Sequence, residues 1–126
     1  MRHVYLVLSI GIISLGVIHT AATPKLFSHL TSAALWFASG GLVLMLTGSL
    51  NLLRRAYGAL AYGLTLVCVI TNILMTGFAL LQGYVTSASA LQFVLVVGLM
   101  ASTTVLSILP AAQLHNPSQT VDGGEQ

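Results

Sequence analysis

Charged side chains are scarce in this chain, and their scarcity excludes an ordinary water-soluble fold. Only 5% of the 126 residues are charged, whereas 56% are hydrophobic and the mean hydropathy is +0.97. A soluble protein of this length needs a polar surface that so few charges cannot form, so the composition predicts an integral membrane protein. The charged residues are Arg2, Lys25, Arg54, Arg55, Asp122 and Glu125.

Acidic residues and cysteines are scarcer still. The two acidic residues, Asp122 and Glu125, come late in the sequence, and Cys68 is the one cysteine, so no internal disulfide can form. Long apolar stretches without a charge argue against a proton relay of intramembrane carboxylates and against an arginine voltage sensor. The small positive excess lies mostly in Arg54 and Arg55, where it indicates membrane topology and not nucleic-acid binding.

Four apolar stretches fill most of the sequence, at residues 4–22, 33–53, 56–81 and 90–112. Each is close to the roughly 20 residues that a helix needs to cross a bilayer. The connecting segments are too short to hold a soluble domain. We therefore predict an all-α integral membrane protein, an antiparallel four-helix bundle over residues 1–113, with a disordered polar tail at residues 114–126.

The positions of the cations predict the orientation. Arg2 precedes the first stretch, and Arg54 and Arg55 lie in a tight turn between the second and third, so both termini are expected to be cytoplasmic. Lys25 alone would lie on the outer side. An alternative is that the first stretch, which ends in the small residues 20–22, is a cleavable secretory signal, and its removal would leave three spans.

The polar breaks contain signals for the ends of helices. Thr23 and Pro24 are typical of the start of a short interfacial helix. Thr31 or Ser32 is expected to cap the second helix, and Thr86 or Ser87 the fourth. Asn51, beside the arginine pair, is expected to reach interfacial water.

Small residues predict where the helices touch, because helices in lipid associate through close packing and interhelical hydrogen bonds. They form stripes such as Ser9, Gly16 and Thr20 on the first helix and Gly98, Ala101 and Ser102 on the fourth. The candidate interface residues are Trp36, Gly40, Gly41 and Gly48. Of these, Trp36 also suits the aromatic belt at headgroup level.

Polar residues inside the stretches are the candidates for a ligand site. If their stripes face inward, five of them would line a polar pocket in the outer half of the bundle: His19, Ser39, Asn72, Thr76 and Gln92. The competing interpretation is that these groups only satisfy one another or backbone carbonyls as interhelical hydrogen bonds.

Metal, cofactor and catalytic chemistry find little support in the pattern. His3, His19, His29 and His115 show no zinc-binding spacing, and only His19 lies well within a stretch, so neither a metal nor haem is expected. No carboxylate or lysine inside the stretches can pair with His19 or activate a serine. Whether the chain is an enzyme is left open, with the pattern favouring a non-enzymatic protein.

One part of the chain resembles a known group. The matching residues are His19-Thr20, Thr23-Pro24 and Phe27, then residues 34–42 (Ala-Leu-Trp-Phe-Ala-Ser-Gly-Gly-Leu) and residues 48–51 (Gly-Ser-Leu-Asn). Over roughly the first 55 residues the sequence is similar to small uncharacterised bacterial four-helix membrane proteins. The resemblance implies a bacterial inner-membrane location and no particular activity.

Two functions are therefore compatible with the sequence. In the first, a non-enzymatic bundle packs with itself or a partner subunit in the lipid bilayer and accommodates a lipid-like molecule between its helices. In the second, the chain is a membrane enzyme, small-molecule carrier or transporter that uses the polar pocket around His19 and Asn72. A shared cavity for His19, Asn72 and Gln92 would favour the second.

Overall fold

All regular secondary structure in the described part of the chain is helical. The computed structural model describes residues 2–85 and 89–109, which contain four helices and no strand. They are α1 (Arg2–Leu26), α2 (Ser32–Tyr57), α3 (Tyr62–Val85) and α4 (Ala90–Ile108). All four are long and apolar enough to cross a membrane. The predicted polar tail at residues 114–126 lies outside the described residues.

The most extensive contact joins α1 and α2. His19 stacks on Phe37 near the end of α1, whereas Tyr5 near its start hydrogen-bonds to Asn51. Residue numbers in α2 therefore rise as those in α1 fall. The two ends of this helix pair are named below the His19 end and the Arg54 end.

Three glycines let α1 and α2 approach closely, and we call them the glycine seam: Gly16, Gly41 and Gly48. A Cβ atom at Gly16 would lie 2.6 Å from the Gly41 carbonyl oxygen, and one at Gly48 would lie 2.8 Å from the Ser9 carbonyl oxygen. Neither position can hold a side chain without moving backbone. The seam thus sets the distance between the two helices.

The second helix pair is α3 with α4, and the two pairs touch through α1 with α4 and α2 with α3. Few side chains are fully buried, and on α4 they are Met100, Thr103 and Ser107. The expected α4 stripe was wrong in part, because Gly98 and Ser102 are exposed and no atom lies near a Cβ built at Gly98.

Several predicted helix ends differ from the structure. Pro24 lies inside the last turn of α1, so the separate interfacial helix expected there was wrong. Thr31 caps α2 as predicted, its hydroxyl accepting a hydrogen bond from the Ala34 amide at 3.2 Å. Ser89 caps α4 by accepting a hydrogen bond from the Gln92 amide at 3.3 Å, whereas the predicted cap was Thr86 or Ser87.

The turn between α2 and α3 was also placed too early. The helix α2 continues through Arg54 and Arg55 to Tyr57, and Gly58 follows as its C-cap with its amide donating to the Arg54 carbonyl oxygen. The arginines are therefore in the last turns of a helix and not in the loop where they were predicted. The helix α3 begins at Tyr62 and not at residue 56, so every side chain of α3 lies about 9 Å nearer the turn than predicted.

Substitutions at glycines test the seam. We expect Gly41→Ala to lower the free energy of unfolding by about 1–3 kcal/mol, because its methyl group would collide with Thr20 and the α1 backbone. The control is Gly98→Ala on an open face, which should leave stability unchanged or raise it by up to about 1 kcal/mol. Unfolding in detergent micelles, followed by circular dichroism, measures both. Equal changes in the free energy of unfolding in the two variants would contradict close packing of α1 and α2 at the glycine seam.

Candidate functional site

A cavity of about 130 Å³ opens between the two helix pairs, and all four helices contribute to its wall. We call it the His19 cavity. Its polar side chains, His19, Gln82 and Gln92, belong to the His19 end of the bundle. The remaining lining residues are Leu15, Gly40, Leu44, Met75, Phe78, Ala79, Gly83, Phe93, Val96, Val97 and Met100. The wall is thus mostly apolar, with a few polar groups toward one end.

His19 is held by neighbours on α2. Its half-buried imidazole stacks on the Phe37 ring with centroids 3.8 Å apart and planes 20° from parallel. A Cβ built at Gly40 would stand 3.5 Å from His19 Nε2, so the absent side chain leaves that nitrogen room at the cavity wall. Phe27, in the link after α1, packs against Phe37, and the centroids of these two rings are 5.7 Å apart. These contacts orient the imidazole.

The five predicted ligand-binding residues do not share one cavity. His19 and Gln92 line the His19 cavity, but Ser39, Asn72 and Thr76 are not among its described lining residues. Ser39 donates to the Trp36 carbonyl oxygen at 2.8 Å, and Thr76 donates to the Asn72 carbonyl oxygen at 2.8 Å. Of the predicted interface residues, Gly40 lines the cavity, Gly41 and Gly48 form the seam, and Trp36 is exposed.

Asn72 instead belongs to a buried polar group that we call the Asn51 cluster, which consists of Tyr5, Asn51, Cys68 and Asn72. The two asparagine amides bond reciprocally, from Asn51 Nδ2 to Asn72 Oδ1 at 2.9 Å and from Asn72 Nδ2 to Asn51 Oδ1 at 2.8 Å. Asn51 Nδ2 also donates to the Thr47 carbonyl oxygen at 2.8 Å. The expectation that Asn51 reaches water was wrong, because its side chain is fully buried.

The cluster extends to the other two helices. The Tyr5 hydroxyl of α1 donates to Asn51 Oδ1, and the Cys68 thiol donates to the same oxygen at 3.2 Å. On α4, Thr104 Oγ1 lies 3.1 Å from the Asn72 carbonyl oxygen and 2.8 Å from Thr76 Oγ1. Side chains from all four helices therefore meet in one hydrogen-bonded group.

Arg54 lies one helical turn beyond Asn51, and its side chain is 1% exposed. Its guanidinium carbon is 5.6 Å from the centroid of the Tyr5 ring, a cation–π arrangement. Neither Tyr5 nor Arg54 was predicted from the sequence as a member of a buried group. For Arg54 the available signal was the spacing of Thr47, Asn51 and Arg54 at steps of four and three along one face of α2.

The described residues contain no group of three histidine, cysteine or acidic side chains that could hold a metal ion. Comparisons with protein-family models, with curated proteins and with solved structures find no match to this chain. Two features of the described residues therefore carry the functional argument: the His19 cavity and the Asn51 cluster with Arg54.

Leucine substitutions in the Asn51 cluster test its contribution to stability. Asn72→Leu should lower the free energy of unfolding by about 1–3 kcal/mol, because it leaves the buried Asn51 amide without its main partner. The double variant Asn51→Leu/Asn72→Leu should cost less than the sum of the single variants. Unfolding in detergent measures all three, with Ser102→Leu on the exposed face of α4 as the matched control. Additive losses would show that the two amides do not interact.

Proposed function

We propose that this chain is a multi-pass membrane protein whose four helices form an antiparallel bundle in the bilayer. Exposed aromatic residues at both ends of the helices support this: Trp36 and Tyr84 toward the His19 end, and Tyr57 and Tyr62 toward the Arg54 end. Trp36 and Tyr57 are separated by about 32 Å along α2, and Tyr62 and Tyr84 by about 33 Å along α3. Both separations match a hydrocarbon core of about 30 Å between two aromatic belts.

The proposed orientation puts the Arg54 end in the cytoplasm of a bacterial cell, with the protein in the inner membrane. Arg2, Arg54 and Arg55 then lie on the cytoplasmic side, as the positive-inside rule requires, and Lys25 alone lies outside. A reporter that works only in the cytoplasm should be active when it is fused after Gln126, and one that works only in the periplasm should be inactive there. Activity of a periplasmic reporter at that position would contradict this orientation.

We propose further that the protein holds a small lipid-like molecule in the His19 cavity. The observation that carries this proposal is the distribution of polarity along the cavity wall. His19, Gln82 and Gln92 lie near the level of the outer aromatic belt, while Met75, Val97 and Met100 form the wall nearer the middle of the bundle. A mostly apolar cavity with a few convergent polar groups is the usual form of a small-molecule site.

The dimensions limit the ligand. An apolar cavity of about 150 Å³ accepts benzene, so a cavity of about 130 Å³ has room for one ring or a short section of acyl chain. The occupant would place an uncharged hydrogen-bonding end beside His19 and Gln92 and its apolar part between Phe78 and Phe93. A larger amphiphile would extend into the bilayer between the helix pairs.

An enzyme using this cavity is the weaker candidate. Among the described lining residues there is no serine, cysteine, lysine or carboxylate that His19 could activate. A carrier would use the same ligand contacts as the binding protein proposed here, and it would differ only in releasing the ligand on another side. The binding step is therefore the statement to test first.

Filling the cavity should displace the ligand. We expect Val97→Phe to reduce labelling of the lining residues by a photoactivatable fatty alcohol at least threefold in reconstituted bilayers, because the ring occupies the cavity. Val94→Phe, on the exposed face of the same helix, is the matched control and should retain the labelling. Peptide mass spectrometry locates the label, and circular dichroism confirms that both variants fold. Equal labelling in the two variants, or label confined to exposed residues, would contradict a site in this cavity.

A further inference from the structure

The guanidinium of Arg54 is buried without an anion beside it in the described part of the chain. Its Nε and Nη1 atoms have no hydrogen-bond partner there. The Tyr5 side chain contacts the guanidinium through its ring, 5.6 Å from the guanidinium carbon, and through its hydroxyl, but it supplies no negative charge. An unpaired buried charge is costly, and it persists only where a partner of opposite charge compensates it.

The sequence limits where such a partner can come from. No aspartate or glutamate occurs between residues 2 and 109, so no carboxylate side chain of the described helices can serve. The two acidic residues of the sequence are Asp122 and Glu125, and both follow α4. Their number equals that of the neighbouring cations Arg54 and Arg55, whose side chains both have a buried Nε without a described partner.

The course of α4 brings the following segment to the correct end of the bundle. Gln92 lines the His19 cavity, whereas Thr104 lies beside Asn72, which bonds to Asn51. The helix α4 therefore runs toward the Arg54 end, and it ends at Ile108. The chain from Leu109 to Asp122 can span up to about 43 Å, so this segment is long enough for Asp122 to contact Arg54.

We propose that Arg54 is the cationic centre of a carboxylate-binding site at this end of the bundle, and that Asp122 or Glu125 of the chain's own terminal segment occupies it. A carboxylate accepts charge-assisted hydrogen bonds from guanidinium N–H groups such as those of Nε and Nη1, and arginine suits this pairing because it stays charged when buried. Occupation would hold the terminal segment against the cytoplasmic end of α1, α2 and α4. The proposal does not depend on a ligand in the His19 cavity.

A double-mutant cycle tests the pairing. In the full chain, reconstituted in phosphatidylcholine bilayers, Asp122→Asn/Glu125→Gln should lower Tm by about 5 °C. In an Arg54→Met background the same tail substitutions should have no effect, since the charge that pairs with the carboxylates is absent. In the control background Lys25→Met, which removes a cation at the other end, the loss of about 5 °C should remain. A tail effect that is absent, or that is equal with and without the Arg54→Met substitution, would overturn the proposal.

A second measurement covers the case in which Arg54→Met does not fold. A nitroxide attached at Gly124→Cys, in a Cys68→Ser background, should give an immobilised spectrum that Asp122→Asn/Glu125→Gln makes mobile. A mobile spectrum before those substitutions would overturn the proposal. The proposal is also overturned if the tail substitutions leave Tm unchanged while phosphatidylglycerol raises Tm in the protein with Arg54 but not in Arg54→Met. The anion would then be a lipid phosphate.

Discussion

The reciprocal hydrogen bonds between the amides of Asn51 and Asn72 are the constraint on which the arrangement of the helix pairs depends. They join α2 to α3, and Tyr5 and Thr104 bring α1 and α4 into the same group. In a bilayer, lipid chains are as apolar as the helices, so apolar segregation cannot hold the two pairs together. A polar group whose members satisfy one another provides the specific contact that fixes their relative height.

This link and the glycine seam explain why the cavity lies at the other end. The seam fixes α1 against α2 along the middle of both helices, and the Asn51 cluster joins that pair to α3 near the Arg54 end. Toward the His19 end, Phe78 and Phe93 line the cavity, and the Phe93 ring lies against Gly83 of α3. The polar contact joins the two pairs near the Arg54 end, and the cavity with its mostly apolar wall lies between them toward the His19 end. The position of the proposed ligand site thus follows from where the helix pairs are hydrogen-bonded to each other.

The number of helices, their approximate positions, the Thr31 cap and the first residue of α4 could be predicted from the sequence, because long apolar runs and capping residues are local signals. Which residues make up the His19 cavity and the Asn51 cluster could not be predicted. Helical spacing shows which residues share a face, but not how far one helix is shifted along another. A start of α3 predicted six residues too early put Asn72 in the outer half with His19, whereas it pairs with Asn51. The sequence also predicts a loop position for Arg54, because a charged pair between apolar stretches indicates the end of a helix.

Selective labelling of asparagine with ¹³C and ¹⁵N gives the most direct test of the central claim. The chain has three asparagines, Asn51, Asn72 and Asn116, so solid-state NMR of the protein in lipid bilayers can resolve their side-chain amides. We expect a through-space cross peak between the amides of Asn51 and Asn72, lost in either Asn51→Gln or Asn72→Gln. Two rigid amides without that cross peak would contradict the proposed bundle.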